Sequence, residues 1–164
     1  MAALSAIPPL FYRVTDSESL IKFQHIDDST VGFEAGYTLL MDLCHRINPA
    51  VVRSHLEGRL IPGLGLISVG TIQKAEREIK WRRSDCRKDI RAYGISTRAL
   101  HWESINISGK AVNALTTDRY GERVIFFSTS EVAKPGQIRS QWATEHEWFA
   151  LEWIPRDMVT ELEI

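Results

Sequence analysis

Short apolar runs predict strands along much of this chain, whereas helical periodicity is concentrated in its first half. The runs that predict strands are Leu10–Thr15, Leu66–Val69, residues 90–97, Arg123–Phe127 and Trp148–Ile154. Between Tyr37 and Leu60 apolar residues recur at helical spacing, and Asn48-Pro49 splits them into two predicted helices because proline disfavours α geometry in the residue before it. Since helices come early and strands late, the order of elements favours an α+β fold over an alternating sheet.

A further helix is predicted over residues 71–83, with Thr71 as its N-cap. Its predicted apolar stripe toward the core consists of Ile72, Ala75 and Ile79. Two ion pairs at a spacing of four residues are expected on its exposed face, Lys74 with Glu78 and Glu76 with Lys80. The predicted helix is therefore amphipathic, with its lysines in solvent.

Length and composition are those of one globular domain. The chain has 164 residues, of which 44% are hydrophobic and 25% charged. These values exclude a disordered chain, a collagen-like repeat and a disulfide scaffold. We expect a single domain over residues 1–164, with its core at about 10–159. The net charge of −1 predicts no bulk attraction to nucleic acid or to an anionic membrane.

The charges are unevenly distributed along the chain. Residues 80–91 contain six basic and two acidic residues, and residues 145–164 contain six acidic residues and one arginine. The basic run could contact phosphates. It could also be a solvated helix end and loop, which is the favoured interpretation because no aromatic residues interleave at stacking intervals.

Cysteine usage and the N-terminus predict a cytoplasmic protein. Cys44 and Cys86 form no C-x-x-C pair, and we expect buried thiols in preference to a bridge between them. The N-terminal MAALSAIPPLFYR lacks a basic segment and is interrupted by Pro8-Pro9, so we expect no signal peptide. No stretch reaches the roughly 20 apolar residues of a membrane span.

Several signatures of catalysis do not occur in the sequence. It contains no G-x-S-x-G, P-loop, H-E-x-x-H or dinucleotide-binding fingerprint. The five histidines lack metal-ligand spacing with the cysteines, so we expect no metal.

The chemically informative segment is EHEWFALEWIP at residues 145–155. In an extended strand Glu145 and Glu147 point to the same face, where they repel each other and one pKa rises. Such a pair suits a reaction through an oxocarbenium ion, with one carboxylate holding the sugar and the other handling the acceptor. Two solvent-facing glutamates at the start of a strand are the structural alternative.

This segment resembles the third motif of ADP-ribosyltransferases of the cholera/heat-labile-enterotoxin type, which runs as E-x-E, an apolar stretch and Ile-Pro. The family's first motif, an arginine on the opening strand, has its counterpart in Tyr12-Arg13. The second motif, Ser-Thr-Ser on a strand, has its counterpart at Ser68, with Thr71 following. The chain is also similar to fungal ADP-ribosyltransferase-like domains with a GF-x-A-G stretch, here residues 32–36.

The resemblance implies a split pair of small antiparallel sheets with NAD, the substrate, in the cleft between them. Arg13 would hold a phosphate or ribose hydroxyl of NAD, and Ser68 would orient the catalytic glutamate. Glu147 would stabilise the ribose cation as nicotinamide leaves. Glu145 would position or deprotonate the acceptor, in that family usually an arginine. A toxin-like or effector role is the corresponding expectation.

The second motif departs from the family pattern. Val69 and Gly70 stand where the family has Thr and Ser, and Thr71 substitutes only if the strand register slips by one residue. A literal aromatic-Ser-Thr-Ser occurs at residues 127–130, where we expect the end of a strand and a loop. The incomplete motif favours an alternative function, a catalytically inactive binding module of the same fold. An unrelated α+β domain is the third interpretation.

Overall fold

The predicted strand at Leu10–Thr15 forms as β1, the first of ten strands in the part of the chain that the structure describes. The computed structural model describes residues 6–26, 29–35, 65–107, 110–132 and 146–164. The strands are β1 (Leu10–Thr15), β2 (Val31–Glu34), β3 (Leu66–Gly70), β4 (Arg91–Ser96), β5 (His101–Ile107), β6 (Lys110–Arg119), β7 (Glu122–Ser128), β8 (Glu147–Leu151), β9 (Trp153–Pro155) and β10 (Val159–Leu162). The helices are α1 (Ile72–Ser84), α2 (Thr129–Val132) and the 3-10 turn Arg156–Met158. The helices predicted between Tyr37 and Leu60 lie outside the described residues.

Eight of these strands form one antiparallel sheet in the order β10-β4-β1-β3-β8-β7-β6-β5. The strands β2 and β9 form a separate two-stranded sheet. The described structure is thus mostly β-sheet with few helices, which is compatible with the predicted α+β class. The expectation of two small sheets is corrected, because one of them gathers eight strands.

The main core lies on one face of the large sheet. Phe11 stacks on Phe126 at 5.1 Å between ring centroids and contacts Trp148 at 4.9 Å. Phe33 of the small sheet meets Tyr93 edge-on at 5.2 Å, so the small sheet packs over this face. On the opposite face α1 packs against β1 and β3, and Val14, Ala75 and Ala92 form a separate cluster there. One face of the sheet therefore borders the aromatic core and the other borders α1, so the contacts of each motif residue depend on the face to which its side chain points.

The hairpin of β5 and β6 and the strand β10 were not predicted from the sequence. The β5 segment HWESINI mixes polar residues among its apolar ones, and β5 lies at the edge of the sheet. Edge strands bury less of their surface, which weakens the apolar signal in their sequence. The last predicted strand ends just before Pro155, so β10 lies beyond it in the sequence. β10 is near the C-terminus and pairs with β4, which lies much earlier in the chain.

The predicted strand Trp148–Ile154 is two strands. Glu152 has φ +68°, a left-handed conformation that ends β8 at Leu151 and lets β9 pair with β2. Its amide donates to Gly65 O at 2.5 Å, and its carbonyl accepts from the Ala35 amide at 2.8 Å. This residue therefore carries the chain from the large sheet to the small one.

The basic run at residues 80–91 forms ion pairs with acidic residues elsewhere in the chain. The pairs with distant partners are Arg82 with Asp16, Arg87 with Glu18 and Arg91 with Glu161. The interpretation of this run as a helix end and loop agrees with the structure, but its charges are partly neutralised within the chain.

No helix in the described ranges is both long and apolar enough to cross a membrane. Cys86 carries a free thiol and is exposed, so the expectation of a buried thiol is wrong at this position. It lies just after α1 with φ +54°, a left-handed conformation. Cys44 lies outside the described residues.

Asp16 anchors the end of β1 to α1. Its side chain is almost inaccessible, accepts from the Glu18 amide at 2.8 Å, and pairs with the Arg82 guanidinium. Burial alone would raise the pKa of Asp16, but the Glu18 amide and Arg82 together outweigh it and lower that pKa. The carboxylate therefore stabilises the fold above the ordinary aspartate pKa, and this contribution is lost as pH falls through the lowered value.

We expect Asp16→Asn to lower the free energy of unfolding at pH 7 by ~1–3 kcal/mol, because Arg82 loses its buried counter-charge. The difference from the wild type should shrink below about pH 4, where the wild-type carboxylate protonates. Urea denaturation at several pH values measures both effects. Asp89→Asn, which removes an exposed partner of Arg91, is the control and should change little. An equal loss in the two variants would contradict this role of Asp16.

Candidate functional site

The three motif segments lie on neighbouring strands of the large sheet. β3, with Ser68, lies between β1, with Tyr12 and Arg13, and β8, with Glu147. Tyr12 is opposite Gly70, and Gly70 is opposite Glu147. Directly opposed residues of antiparallel strands point to the same face, so Tyr12, Gly70 and Glu147 form one row across the sheet.

The centre of the site is Lys74, on the first turn of α1. Its Nζ donates to Ser68 Oγ at 2.7 Å and to Val69 O at 3.3 Å. The same Nζ lies 2.9 Å from Glu147 Oε2 and 3.8 Å from the Glu78 carboxylate. The side chains of Lys74 and Glu147 are only 7% and 16% exposed, so this is a largely buried ion pair. Lys74 joins the second and third motifs, although the sequence predicted it to lie in solvent.

The helix face explains the misplaced lysine. The predicted inner stripe contained Ile72, but Ile72 is 42% exposed, whereas Lys74 and Ala75 are buried. The predicted stripe is therefore wrong at its first position. Periodicity alone cannot locate such a lysine, since its burial depends on the Glu147 carboxylate of β8 and on the Ser68 and Val69 oxygens of β3.

Gly70 provides the space that Lys74 occupies. A Cβ at this position would lie 2.3 Å from Lys74 Cδ and 2.5 Å from the His146 carbonyl oxygen. The departure from the family pattern at Gly70 thus has a physical consequence, because the serine expected there would displace the lysine. Val69 is fully buried in the core on the other face. The Lys74 ammonium thus reaches Glu147 because position 70 carries no side chain.

Burial disfavours the ionised form of the Glu147 carboxylate, in spite of the Lys74 ammonium beside it. Burial raises the pKa of Glu147, and the ammonium of Lys74 offsets this only in part. The contact with Lys74 is an ion pair that is not aligned as a hydrogen bond to Oε2. Because the pKa is raised, the contribution of Glu147 to stability is largest below the ordinary carboxyl pKa. It decreases as pH rises through the raised value.

Arg13 lies on the opposite face from Ser68 and Glu147. It is adjacent in β1 to Tyr12, so its side chain points to the core, where its guanidinium stacks over Phe33 at 5.3 Å. Its Nη atoms donate to the backbone carbonyls of Ser68 at 2.7 Å and Ile21 at 2.8 Å. Burial lowers the pKa of Arg13 to about 10. The structure therefore brings Arg13 to the backbone of Ser68 but does not bring the three motif side chains into one cleft.

Thr71 stands at the N-cap position of α1 but makes no capping hydrogen bond with its side chain. Its hydroxyl instead pairs with His146 Nδ1 at 2.8 Å, and its amide donates to the His146 carbonyl at 3.1 Å. These bonds tie the start of α1 to the residue before Glu147. The Tyr12 ring packs among the apolar residues beneath α1, so it supports the helix that carries Lys74.

The two serine segments lie on either side of β8. Ser128 is opposite Trp148 and so shares the core-side face with it, while Ser68 shares the face of Glu147. Ser68 is thus the serine connected to Glu147, through Lys74. The residues after Ser128 form a single helical turn, α2, instead of the expected loop. Glu145 lies outside the described residues.

Comparisons with protein-family models, with curated proteins and with solved structures found no match to this chain. Within the described residues no group of three or more His, Cys, Asp or Glu side chains is arranged to hold a metal ion.

We expect substitution of Lys74 to cost more stability than substitution of Glu147, its partner in the buried ion pair. Lys74→Met leaves the Glu147 carboxylate buried without its cation, and should lower the free energy of unfolding at pH 7.5 by ~2–4 kcal/mol. Glu147→Gln should cost less, since Lys74 keeps Ser68 and Val69 as acceptors. The double variant should recover most of the loss, as measured by urea denaturation.

The loss in Lys74→Met should also be smaller at pH 4, where protonation removes the buried charge. The control is a double-mutant cycle at the exposed ion pair of Arg91 and Glu161, with Arg91→Gln, Glu161→Gln and both together. The effects of these two substitutions on the free energy of unfolding should be additive. Additive effects of the Lys74 and Glu147 substitutions would contradict the buried ion pair.

Gly70→Ala should lower the free energy of unfolding by ~1–3 kcal/mol, because its methyl group overlaps the Lys74 side chain and the His146 carbonyl. Gly94→Ala is a matched control in β4, where the nearest atoms are 3.6 Å away. Thermal or urea unfolding of both variants compares the two positions. Equal stability of the two variants would mean that Lys74 does not lie against Gly70.

Proposed function

We propose that this chain is an NAD-dependent ADP-ribosyltransferase-like domain in which Glu147 serves the cleavage of NAD. The observation that carries the proposal is the adjacency of the three motif strands, β1, β3 and β8, in one sheet. These strands come from distant parts of the chain, so their order along the sequence does not by itself make them neighbours. The proposal includes the split two-sheet fold, which the packing of Phe33 of β2 on Tyr93 of β4 supports.

In the proposed reaction the bond between the nicotinamide nitrogen and ribose C1′ breaks, and its electron pair leaves with nicotinamide. The Glu147 carboxylate stabilises the positive charge that develops on the ribose. Water or a protein side chain, with arginine as the first candidate, then bonds to C1′ and releases a proton. Glu145 is the proposed acceptor of that proton.

Lys74 has a defined part in this proposal. Burial raises the pKa of Glu147, and a protonated carboxyl could not stabilise a cation. The ammonium at 2.9 Å favours the ionised carboxylate and, through Ser68, fixes its position. The predicted role of Arg13 toward NAD is not part of this proposal, because its guanidinium is buried on the opposite face and bonds to the Ser68 and Ile21 carbonyls. The exposed free thiol of Cys86 fits a reducing compartment, and we propose the cytoplasm as the place of action, with a toxin-like or effector role.

The same ion pair also favours a second candidate function, an inactive binding module of this fold. Lys74 already neutralises the carboxylate that would have to stabilise the ribose cation. Gly70 also removes a hydroxyl of the second motif. In this alternative the chain binds NAD or a protein without cleaving the glycosidic bond, and the Lys74–Glu147 pair serves only the fold.

The two candidates differ in the release of nicotinamide from NAD by the purified chain. If the domain is catalytic, Glu147→Gln should lower the release rate by at least ~100-fold, because the carboxylate acts on the transition state. Glu163→Gln, an exposed carboxylate near the C-terminus, is the matched control and should keep the wild-type rate. Chromatographic detection of nicotinamide, with NAD binding measured by calorimetry, gives both quantities.

Binding of NAD without release of nicotinamide, in the presence of a cell lysate that supplies acceptors, would favour the inactive module. A wild-type chain that neither binds nor consumes NAD under these conditions would contradict the catalytic candidate and the NAD-binding form of the inactive module. Release that persists in Glu147→Gln would remove Glu147 from the catalytic role.

A further inference from the structure

β10 lies at one edge of the large sheet, with β4 as its single neighbour among the described strands. In an antiparallel pair, alternate residues turn their N–H and C=O groups away from the neighbouring strand. Within the described part of the chain, residues 160–164 make no backbone hydrogen bond outside this pairing. The outer edge of β10, which faces away from β4, therefore offers backbone groups to a further extended strand.

The side of β10 that faces α1 is apolar. Leu162 packs on the apolar cluster beneath α1. Further along the chain, Ile164 lines a groove of about 460 Å³ together with Ile79 and other residues of α1. Ile164 is 52% exposed and Ile79 is partly buried. An apolar side chain placed in this groove would contact both isoleucines and remove their surface from water.

The rim of this groove carries more positive than negative charge. Its charged residues are Lys80, Arg83 and Glu76. Lys80 and Arg83 form no ion pair within the described residues, and the predicted pair of Glu76 with Lys80 does not form there. The groove therefore accepts apolar side chains more readily than basic ones.

The other side of β10 is acidic. Glu161 is exposed, and its carboxylate lies 3.1 Å from the guanidinium of Arg91, which also pairs with Asp89. Glu163 lies on the same side as Glu161, because side chains alternate along an extended chain. Glu163 is exposed and has no ion pair in the described part of the chain. These three carboxylates outnumber the one guanidinium, so this side attracts basic side chains.

Charge argues against a second copy of this chain at the outer edge. In a two-fold antiparallel pairing of β10 with itself, opposed residues point to the same side of the joined sheet. The glutamates of both copies would then lie together, and like charges across a strand pair are destabilising. The outer edge therefore fits a strand of opposite charge.

We propose that the outer edge of β10 binds an extended segment of a partner protein in which basic residues alternate with large apolar ones. The apolar side chains would lie against Leu162 and Ile164 at the groove. The basic side chains would lie against Glu161 and Glu163. This surface is independent of the proposed NAD chemistry, since it involves neither the motif strands β3 and β8 nor the carboxylate of Glu147.

Fluorescence anisotropy with a labelled synthetic peptide of alternating lysine and valine tests the partner class. One control peptide has the same composition with its lysines and valines in two blocks, and the other alternates glutamate with valine. We expect saturable binding of the alternating lysine peptide, and binding of each control weaker by about tenfold or more. The block order places lysines on both sides of the strand, and glutamate meets the acidic side of β10.

Variants and amide exchange then locate the site. Glu163→Lys should weaken binding by about tenfold, because it places a cation against the basic side chains. Glu122→Lys, at an exposed carboxylate of β7, is the matched control and should bind as the wild type does. Ile164→Ser should also weaken binding, since it removes the apolar wall of the groove. Hydrogen exchange of the amides at residues 160–164 should slow when the peptide is bound, which contact through side chains alone would not cause.

Four results would overturn the proposal. The first is no saturable binding of the alternating lysine peptide, and the second is equal affinity for the alternating and block peptides. The third is unchanged binding in folded Glu163→Lys together with unchanged amide exchange in β10. The fourth is a stable dimer of the chain alone, measured by sedimentation equilibrium, in which these amides are already protected, because a second copy would then occupy the edge.

Discussion

The packing of β3, α1 and β8 depends on the burial of one lysine ammonium. Lys74 lies where Gly70 leaves room, donates to Ser68, and meets the Glu147 carboxylate at 2.9 Å. Removing these charges from water is costly, and their attraction compensates only when the geometry is maintained. The position of α1 over the sheet, the start of β8 and the ionisation of Glu147 are therefore coupled. A small residue at position 70 is the condition for all three.

This coupling sets the chemistry that each face of the sheet can support. The face under α1 holds a largely buried carboxylate whose pKa is raised by burial and whose ionised form is favoured by an adjacent ammonium. The other face holds the aromatic core and the buried Arg13 guanidinium. Arg13 donates to the Ser68 carbonyl, so it ties β1 to β3 on the core side of the sheet. The same strands thus carry a buried ion pair on one face and an aromatic core with a buried arginine on the other.

The parts of the fold with strong local signals could be predicted from the sequence. β1 and α1 occur where the apolar patterns place them, within one or two residues at their ends. The strand β5 could not be predicted, because its edge position leaves a weak apolar pattern. The break at Glu152 was also missed, since its left-handed backbone depends on bonds to Gly65 and Ala35 from other segments. For the site, Ser68 and Glu147 were found through motifs, but Lys74 was not.

By itself the sequence determined the positions of β1, β3, β4 and β7, the helix after β3, and the residue types available for chemistry. These follow from local periodicity and from composition, which act over a few residues. The tertiary structure alone decided which strands are neighbours, which face each motif side chain occupies, and that a lysine at a surface-like position is buried. Strand order is set by packing between segments that are distant in sequence. The burial of Lys74 depends on a carboxylate that lies 73 residues later in the chain, so no local pattern could contain it.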